Sequence, residues 1–245
     1  MDRLLYVAMN GASRALAAQA ATSHNIANAS TPGFKAALVR STPETLQGAG
    51  LPSRVLATAQ AGGFDASGGR VRETGRPLDV ALADDHWLAV QADNGSTAYT
   101  RAGDLRLNEQ GQLLTQSGRP VLGEGGAIGV PPAQSLSIGA DGALSIVPLG
   151  LGANTALEVD RLQVVSAAPQ TMQRGLDGLF RPIEGEPAAA PGNVLLSGAL
   201  EESNVSSATA LVDMIAQQRQ FETQIQLMKT ADENAQRSNE LLRMR

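Results

Sequence analysis

A heptad seam at each end of the chain constrains this sequence more than any other feature. Near the N-terminus, Leu5, Met9, Ala12, Leu16, Gln19, Ser23 and Ile26 are spaced 4,3,4,3,4,3, the repeat that keeps one stripe of a helix turned toward a neighbour. Toward the C-terminus the same alternation runs through Leu211, Met214, Gln218, Phe221, Ile225, Met228, Asp232, Ala235, Asn239 and Leu242 without a slip. Several members are small or polar. Such a stripe packs closely but buries little, so each helix is poorly stabilised alone. Polar members such as Gln218, Asp232 and Asn239 lower stability and fix register, which suits a helix that meets particular neighbours.

The first helix is predicted over residues 3 to about 28 and has to end within "HNIANASTPGFKA" (24–36). Pro32 removes an amide donor and Gly33 offers a turn, so the chain changes direction there. For the second helix, Asn204, Ser206 and Ser207 are candidate N-caps.

Between the helices the period falls to two. "WLAVQADNGSTAYTRAG" alternates on both sides of Asp93-Asn94-Gly95, a hairpin signal. "LRLNEQGQLLTQ" turns at Asn108 to Gly111, and "LSIGADGALSI" turns at Ala140-Asp141-Gly142. "RLQVV" near 161–165 and "NVLLSGAL" near 193–200 read as later strands. Residues 36–76 hold no sustained period and read as an extended or irregular connector. The expected fold class is therefore α+β, with N- and C-terminal helices forming a coiled-coil-like pair, a central antiparallel all-β domain and an extended connector. The expected boundaries are 1–35 plus 199–245 for the helical domain, 36–76 for the connector and 77–198 for the β domain.

Composition narrows the chemistry. Aromatic residues make up 3% of the 245 residues, so the core is light in the large side chains that usually dominate burial. A net charge of −5 and the lack of any basic block argue against nucleic acid as a partner. The absence of cysteine excludes disulfides, thiolate catalysis and cysteine-based zinc sites. No apolar run nears the roughly 20 residues of a membrane-spanning helix. The opening "MDRLLYVAMNGASRALAAQA" superficially resembles a secretory signal, but its apolar run stops at Asn10-Gly11 and Arg14 falls where that run should continue. No cleaved signal peptide is expected, and any export would use a route that keeps the N-terminus.

No motif points to catalysis. His24 and His86 are the only histidines; His24 has no second metal-type residue at i+4, and Asp84-Asp85-His86 reads as an exposed turn before a strand. Asp93, Asn108 and Asp141 fit turn chemistry without a calcium repeat. "VLGEGGAIGV" lacks the spacing and following helix of a dinucleotide loop, and neither a phosphate-binding loop nor a serine nucleophile elbow occurs. The chain is expected not to be an enzyme and to hold no catalytic residue, cofactor or metal. A two-helix pair with Ala, Gln, Ser and Asn in its seam buries too little to offset its own ordering. Self-assembly through the seams is therefore favoured over a closed monomer, with a coiled-coil adaptor as the competing reading.

"HNIANASTPGFKA" resembles the "NNxANxxTxGFK" signature of the axial proteins of the bacterial flagellum, matched by Asn25, Ala27, Asn28, Thr31, Gly33, Phe34 and Lys35. His24 stands where that signature usually has Asn. "TGRPLDVAL" (74–82), "YTRAGDLRL" (99–107), "GQLLTQSGRPVLG" (111–123) and "GALEESNVSSATALVDMIAQQRQFE" (198–222) are similar to further blocks of the rod and hook family, in the same order. Length and the opening "MDRLLYVAMNGAS" are most like a proximal-rod member, and a distal-rod member is the nearest alternative. The resemblance implies a structural subunit of the basal-body rod within the periplasm, exported by the flagellar type III apparatus without signal cleavage. It implies partners of three kinds: other copies of the chain, neighbouring rod proteins and that export apparatus. Paired terminal helices would line the inner tube around the export channel, with the β domain outside. Polymerisation contacts would then fall on Leu5, Met9, Ala12, Leu16, Gln19, Ser23, Ile26, Leu211, Met214, Gln218, Phe221, Ile225, Met228 and Leu242.

Overall fold

The computed structural model describes residues 2–45, 55–148, 150 and 156–243. The chain divides into two compact units, one of residues 1–29, 36–65 and 205–245, the other of 30–35 and 66–204. It is an α+β protein with a helix at each end and an antiparallel β-rich middle.

In the first unit α1 (Asp2–Ala27) packs along α2 (Ser207–Arg243). The pair is antiparallel: Gly11 lies against Gln224, while nearer the other end of α1 the Gln217 Nε2 donates to Thr22 Oγ1 at 2.9 Å. Small residues make the seam. Ala8, Ala12 and Ala15 of α1 and Ala231 of α2 are buried, and a Cβ on Gly11 would lie 2.8 Å from the Gln224 side chain. Close approach of two backbones replaces bulky knobs with many small dispersion contacts. The buried stripe through Ala8, Ala12 and Ala15 is turned one position from most of the predicted seam, and it leaves larger neighbours outside.

Both helix ends are closed by side chains. Asn28 Nδ2 donates to the His24 carbonyl at 2.9 Å, beside the Asn28 N–H that donates to the same carbonyl at 3.2 Å, so Asn28 closes the last turn of α1 twice over. The Ser206 hydroxyl accepts the Thr209 N–H at 3.4 Å and the Ser206 carbonyl accepts the Ala210 N–H at 2.9 Å, which makes Ser206 the N-cap of α2. Of the other candidate caps, Ser207 is the first helical residue and Asn204 makes its bonds elsewhere.

The segment expected as an irregular connector contains an antiparallel ribbon of β1 (Ala37–Thr45) and β2 (Val55–Phe64), which packs beside α1. Thr42 pairs with Thr58, their hydroxyls 3.2 Å apart. A register shift falls between Ala37 and Val39, and both Leu38 and Val39 are exposed. Among the described side chains of this ribbon none is fully buried, so they carry no period-two signal.

The second unit is built from short strands: β3 (Val71–Glu73), β4 (Val80–Leu82), β5 (His86–Gln91), β6 (Thr97–Thr100) and a succession of others up to 199–201. Its largest sheet runs, in spatial order, 172–174, 180–182, β6, β5, 164–166 and 188–189. A three-stranded sheet joins 133–138, 143–148 and 157–161. The predicted turns fall where expected, with Gly95 at φ 78° and Gly111 at φ 77°. At the second of these, Asn108 Oδ1 accepts the N–H groups of Gln110 and Gln112 at 3.1 and 2.7 Å. The core is aliphatic, with Leu88, Val90, Leu105, Leu113, Val121 and Leu144 all fully buried. The run near 193–200 is two strands, not one: it breaks at Gly198 (φ 73°) into 195–197, which pairs with β4, and 199–201, which pairs with β3. The first and last strands of the unit thus close it on each other.

Candidate functional site

The signature residues divide between the two units and do different work in each. In the first unit, the Asn25 amide clamps the backbone of Ala37, the first residue of β1. Its Nδ2 donates to the Ala37 carbonyl at 3.0 Å and its Oδ1 accepts the Ala37 N–H at 2.8 Å, as an extra strand would. Ala27 is exposed and Asn28 caps α1. In the second unit, Thr31 is exposed and its carbonyl accepts the Phe34 N–H at 3.3 Å, closing the turn.

Gly33, Phe34 and Lys35 are buried in the β unit. Gly33 takes φ +67°, and its N–H donates to the Glu201 carbonyl at 2.7 Å. Its Cα lies so near Arg101 that any Cβ would collide with the Arg101 carbonyl, so both the turn and the packing call for glycine. Phe34 lies under the Arg174 guanidinium, 4.4 Å from its ring centroid, while Arg174 Nη1 donates to the Lys35 carbonyl at 3.1 Å. Burial pulls the Arg174 pKa below its ordinary value.

Lys35 ends in a cluster of three buried charges. Its ammonium donates to Glu201 Oε1 and to the Ser67 carbonyl, each at 2.8 Å. The other carboxylate oxygen of Glu201 accepts from Arg101 Nε at 2.7 Å, with Arg101 Nη2 2.6 Å away. Arg101 also donates to the carbonyls of Leu82, Ala83 and His86, and its guanidinium lies 5.7 Å from the Trp87 ring centroid. The Gly69 N–H completes the shell at 2.8 Å from Glu201 Oε1. The side chains of Lys35, Arg101 and Glu201 are each 5% exposed or less. Burial alone would raise the Glu201 pKa, but Arg101, Lys35 and the Gly69 N–H outweigh it and hold the carboxyl below its usual range. Each charge is met by partners, so the cluster fastens chain segments together. Beside it, Asp79 accepts from Thr74 Oγ1 at 2.7 Å and from Arg76 Nε at 2.8 Å, which folds the "TGRPLD" stretch into a turn ahead of β4.

Lys35 belongs to the predicted signature; Arg101 and Glu201 lie in quoted blocks but were not singled out. The signal that could have found them is a charge at the end of a strand: Arg101 follows "TAYT", and Glu201 follows "GAL".

The predicted seam residues fall into two groups. Ala12 is buried in the seam between the helices, and Gln19, Ile26, Met214, Phe221, Ile225 and Met228 are partly buried. Leu5, Met9, Leu16 and Leu211 are 43, 53, 49 and 52% exposed, and Ser23 and Gln218 are exposed as well. The side chain of Leu242 lies outside the described set. Tyr6, Val7, Val212, Ile215 and Leu227 are also exposed, and the heptad reading missed them. Each end-helix therefore carries bulky apolar side chains in water. At the other sequence candidates, Asp85 has φ 58° in a turn and His86 Nδ1 lies 2.6 Å from the Asp84 carbonyl. Among the described residues no three His, Asp or Glu side chains gather in a way that could hold a metal, and no helix is long and apolar enough to cross a membrane.

Helices from both chain ends with bulky apolar groups facing water, on a chain whose middle is a self-closed β unit, define a structural subunit built for assembly. Three family descriptions match along the chain: "Flagella basal body rod protein" over 5–35, "Flagellar hook protein FlgE/F/G D1 domain" over 81–146 and "Flagellar basal body rod FlgEFG protein C-terminal" over 196–241. The flagellar basal-body rod protein FlgF of Escherichia coli (strain K12) is 46% identical over the whole of both chains, and that of Salmonella typhimurium is 45% identical over the same span. FlgG of Bacillus subtilis (strain 168) is 30% identical, with 95% of this chain and 96% of that protein covered. The chain belongs to the flagellar basal-body rod protein family.

Proposed function

We propose that this chain is a proximal-rod subunit of the FlgF type, a structural element of the flagellar basal body with no catalytic role. The carrying observation is the helix pair, whose seam is filled by small residues while Leu5, Met9, Leu16 and Leu211 remain in solvent. Those side chains bury only when a second copy or a neighbouring rod protein covers them. Stacked copies would place the paired helices around an axial channel with the β units outside. Gln218, exposed on α2, would satisfy polar contacts where copies cross. The subunit would act in the periplasm, carried there by the flagellar export apparatus with its N-terminus intact. Torque would then pass through many repeated interfaces and no single site.

Two features support the FlgF type over the FlgG type: 46% identity to E. coli FlgF against 30% to B. subtilis FlgG, and coverage of both FlgF chains to their full length. Limited proteolysis tests the assembly reading. In the free subunit the end-helices are expected to be cut first, leaving a resistant fragment near 66–204, which keeps the strands that close the β unit, and in purified basal bodies the same sites are expected to be protected. Equal protection in both states would contradict assembly through the helices and favour a closed adaptor.

A further inference from the structure

Chain passes between the two units at four points, 29/30, 35/36, 65/66 and 204/205. Within the β unit, the segments that lead to all four are cross-tied by one network around Glu201. Its backbone carbonyl holds the Gly33 N–H, its Oε1 holds Lys35 and the Gly69 N–H, and Lys35 in turn holds the Ser67 carbonyl. Asn204 completes the ring: its N–H donates to the Phe34 carbonyl at 3.3 Å and its Nδ2 to the Ser67 carbonyl at 3.1 Å. Lys35 and Glu201 alone are 166 positions apart in sequence, so no local turn could hold these residues together.

We infer that Glu201 is a positioning residue that gathers every passage of chain out of the β unit into one rigid exit. Load arriving along either end-helix then reaches the β unit at the same point. Backbone hydrogen bonds alone would let each segment give way separately. A buried carboxylate shared by two cations makes them give way together, because losing one partner leaves uncompensated charge. The mechanical role rests on the proposed rod function; the coupling itself does not.

Hydrogen exchange on the full-length chain tests it with Glu201→Gln, which keeps the shape and removes the charge. The amides of Gly33, Gly69 and Asn204 are expected to exchange about tenfold faster or more, and together, while those of Ala89 and Val121 in the core sheets keep their wild-type rates. Lys35→Met, which leaves the Arg101–Glu201 pair, is expected to accelerate the same three amides to a smaller extent and serves if Glu201→Gln fails to fold. Acceleration at Gly69 alone would reduce Glu201 to a local acceptor and overturn the inference. Equal acceleration at Ala89 and Val121 would overturn it too, since Glu201 would then be an ordinary stability residue. Counting rods by electron microscopy in a strain lacking the gene reads the rod assignment separately, and its failure would leave the exchange result standing.

Discussion

Replacing Leu16 by Asp should separate folding from assembly. Leu16 is 49% exposed on α1, and full burial of a leucine side chain is worth about 1.5–3 kcal/mol. About half of that, roughly 1 kcal/mol, is realised within the subunit, and a similar amount is gained only when another chain covers the remaining surface. The free variant should therefore lose about 1 kcal/mol and remain helical. In the assembled state it also forces a carboxylate into an apolar contact, which costs several kcal/mol more or makes it take up a proton. Even about 3 kcal/mol per interface weakens association by roughly a hundredfold. Leu16→Ala loses the apolar term without the charge and should assemble with a tenfold or smaller deficit. The assay pairs far-ultraviolet circular dichroism of the purified chain with immunoblots of basal bodies from strains carrying only the variant. A Leu16→Asp chain present in basal bodies at wild-type amount would refute the reasoning. So would a variant unfolded in isolation, because Leu16 would then act inside the subunit.

Other outcomes follow from the same geometry. Gly33→Ala should destabilise the chain by about 1–2 kcal/mol from the positive φ alone, and by more from collision with the Arg101 carbonyl, read as a fall in the thermal midpoint of the β unit. Asn25→Ala removes both bonds to the Ala37 backbone and should cost about 1–3 kcal/mol, seen first as faster exchange of the Ala37 amide. The Arg181 guanidinium, whose Nη2 donates to Asp177 Oδ2 at 2.6 Å, holds the Asp177 carboxyl down at about 2 despite an opposing effect of burial. A carboxyl depressed in the folded state stabilises the fold above its unfolded value near 4 and loses that contribution as pH falls toward about 2. Glu201 is depressed too and acts in the same sense. Acid titration of wild type should therefore lose stability between about pH 4 and 2, and Asp177→Asn should flatten that loss.

Much of this architecture is written locally in the sequence. The hairpin at Asp93-Asn94-Gly95 and the Asn108 turn rest on neighbouring residues and are found where turn chemistry puts them. Helix ends likewise depend on Pro32, Gly33 and Ser206 within a few positions. The heptad seam located both helices. Within the subunit the stripe of α1 that is buried runs through Ala8, Ala12 and Ala15, because two backbones in close contact accept small groups and exclude larger ones such as Leu5, Met9 and Leu16. The β1–β2 ribbon was illegible because none of its described side chains is fully buried, so no alternation is selected there. The Lys35–Glu201–Arg101 cluster was illegible as a cluster because Glu201 lies 166 positions from Lys35 and 100 from Arg101 and meets them only in the folded unit. The short hairpin of 172–174 and 180–182 has too few residues on each side for a period to register.

The central claim is that this chain builds the proximal part of the rod, and deleting its gene tests that most directly. Basal bodies isolated from the deletion strain and imaged by electron microscopy should stop at the membrane ring or a short rod stub. Bodies with a proximal stub but no distal rod would move the chain to the distal segment. Complete basal bodies would contradict the account.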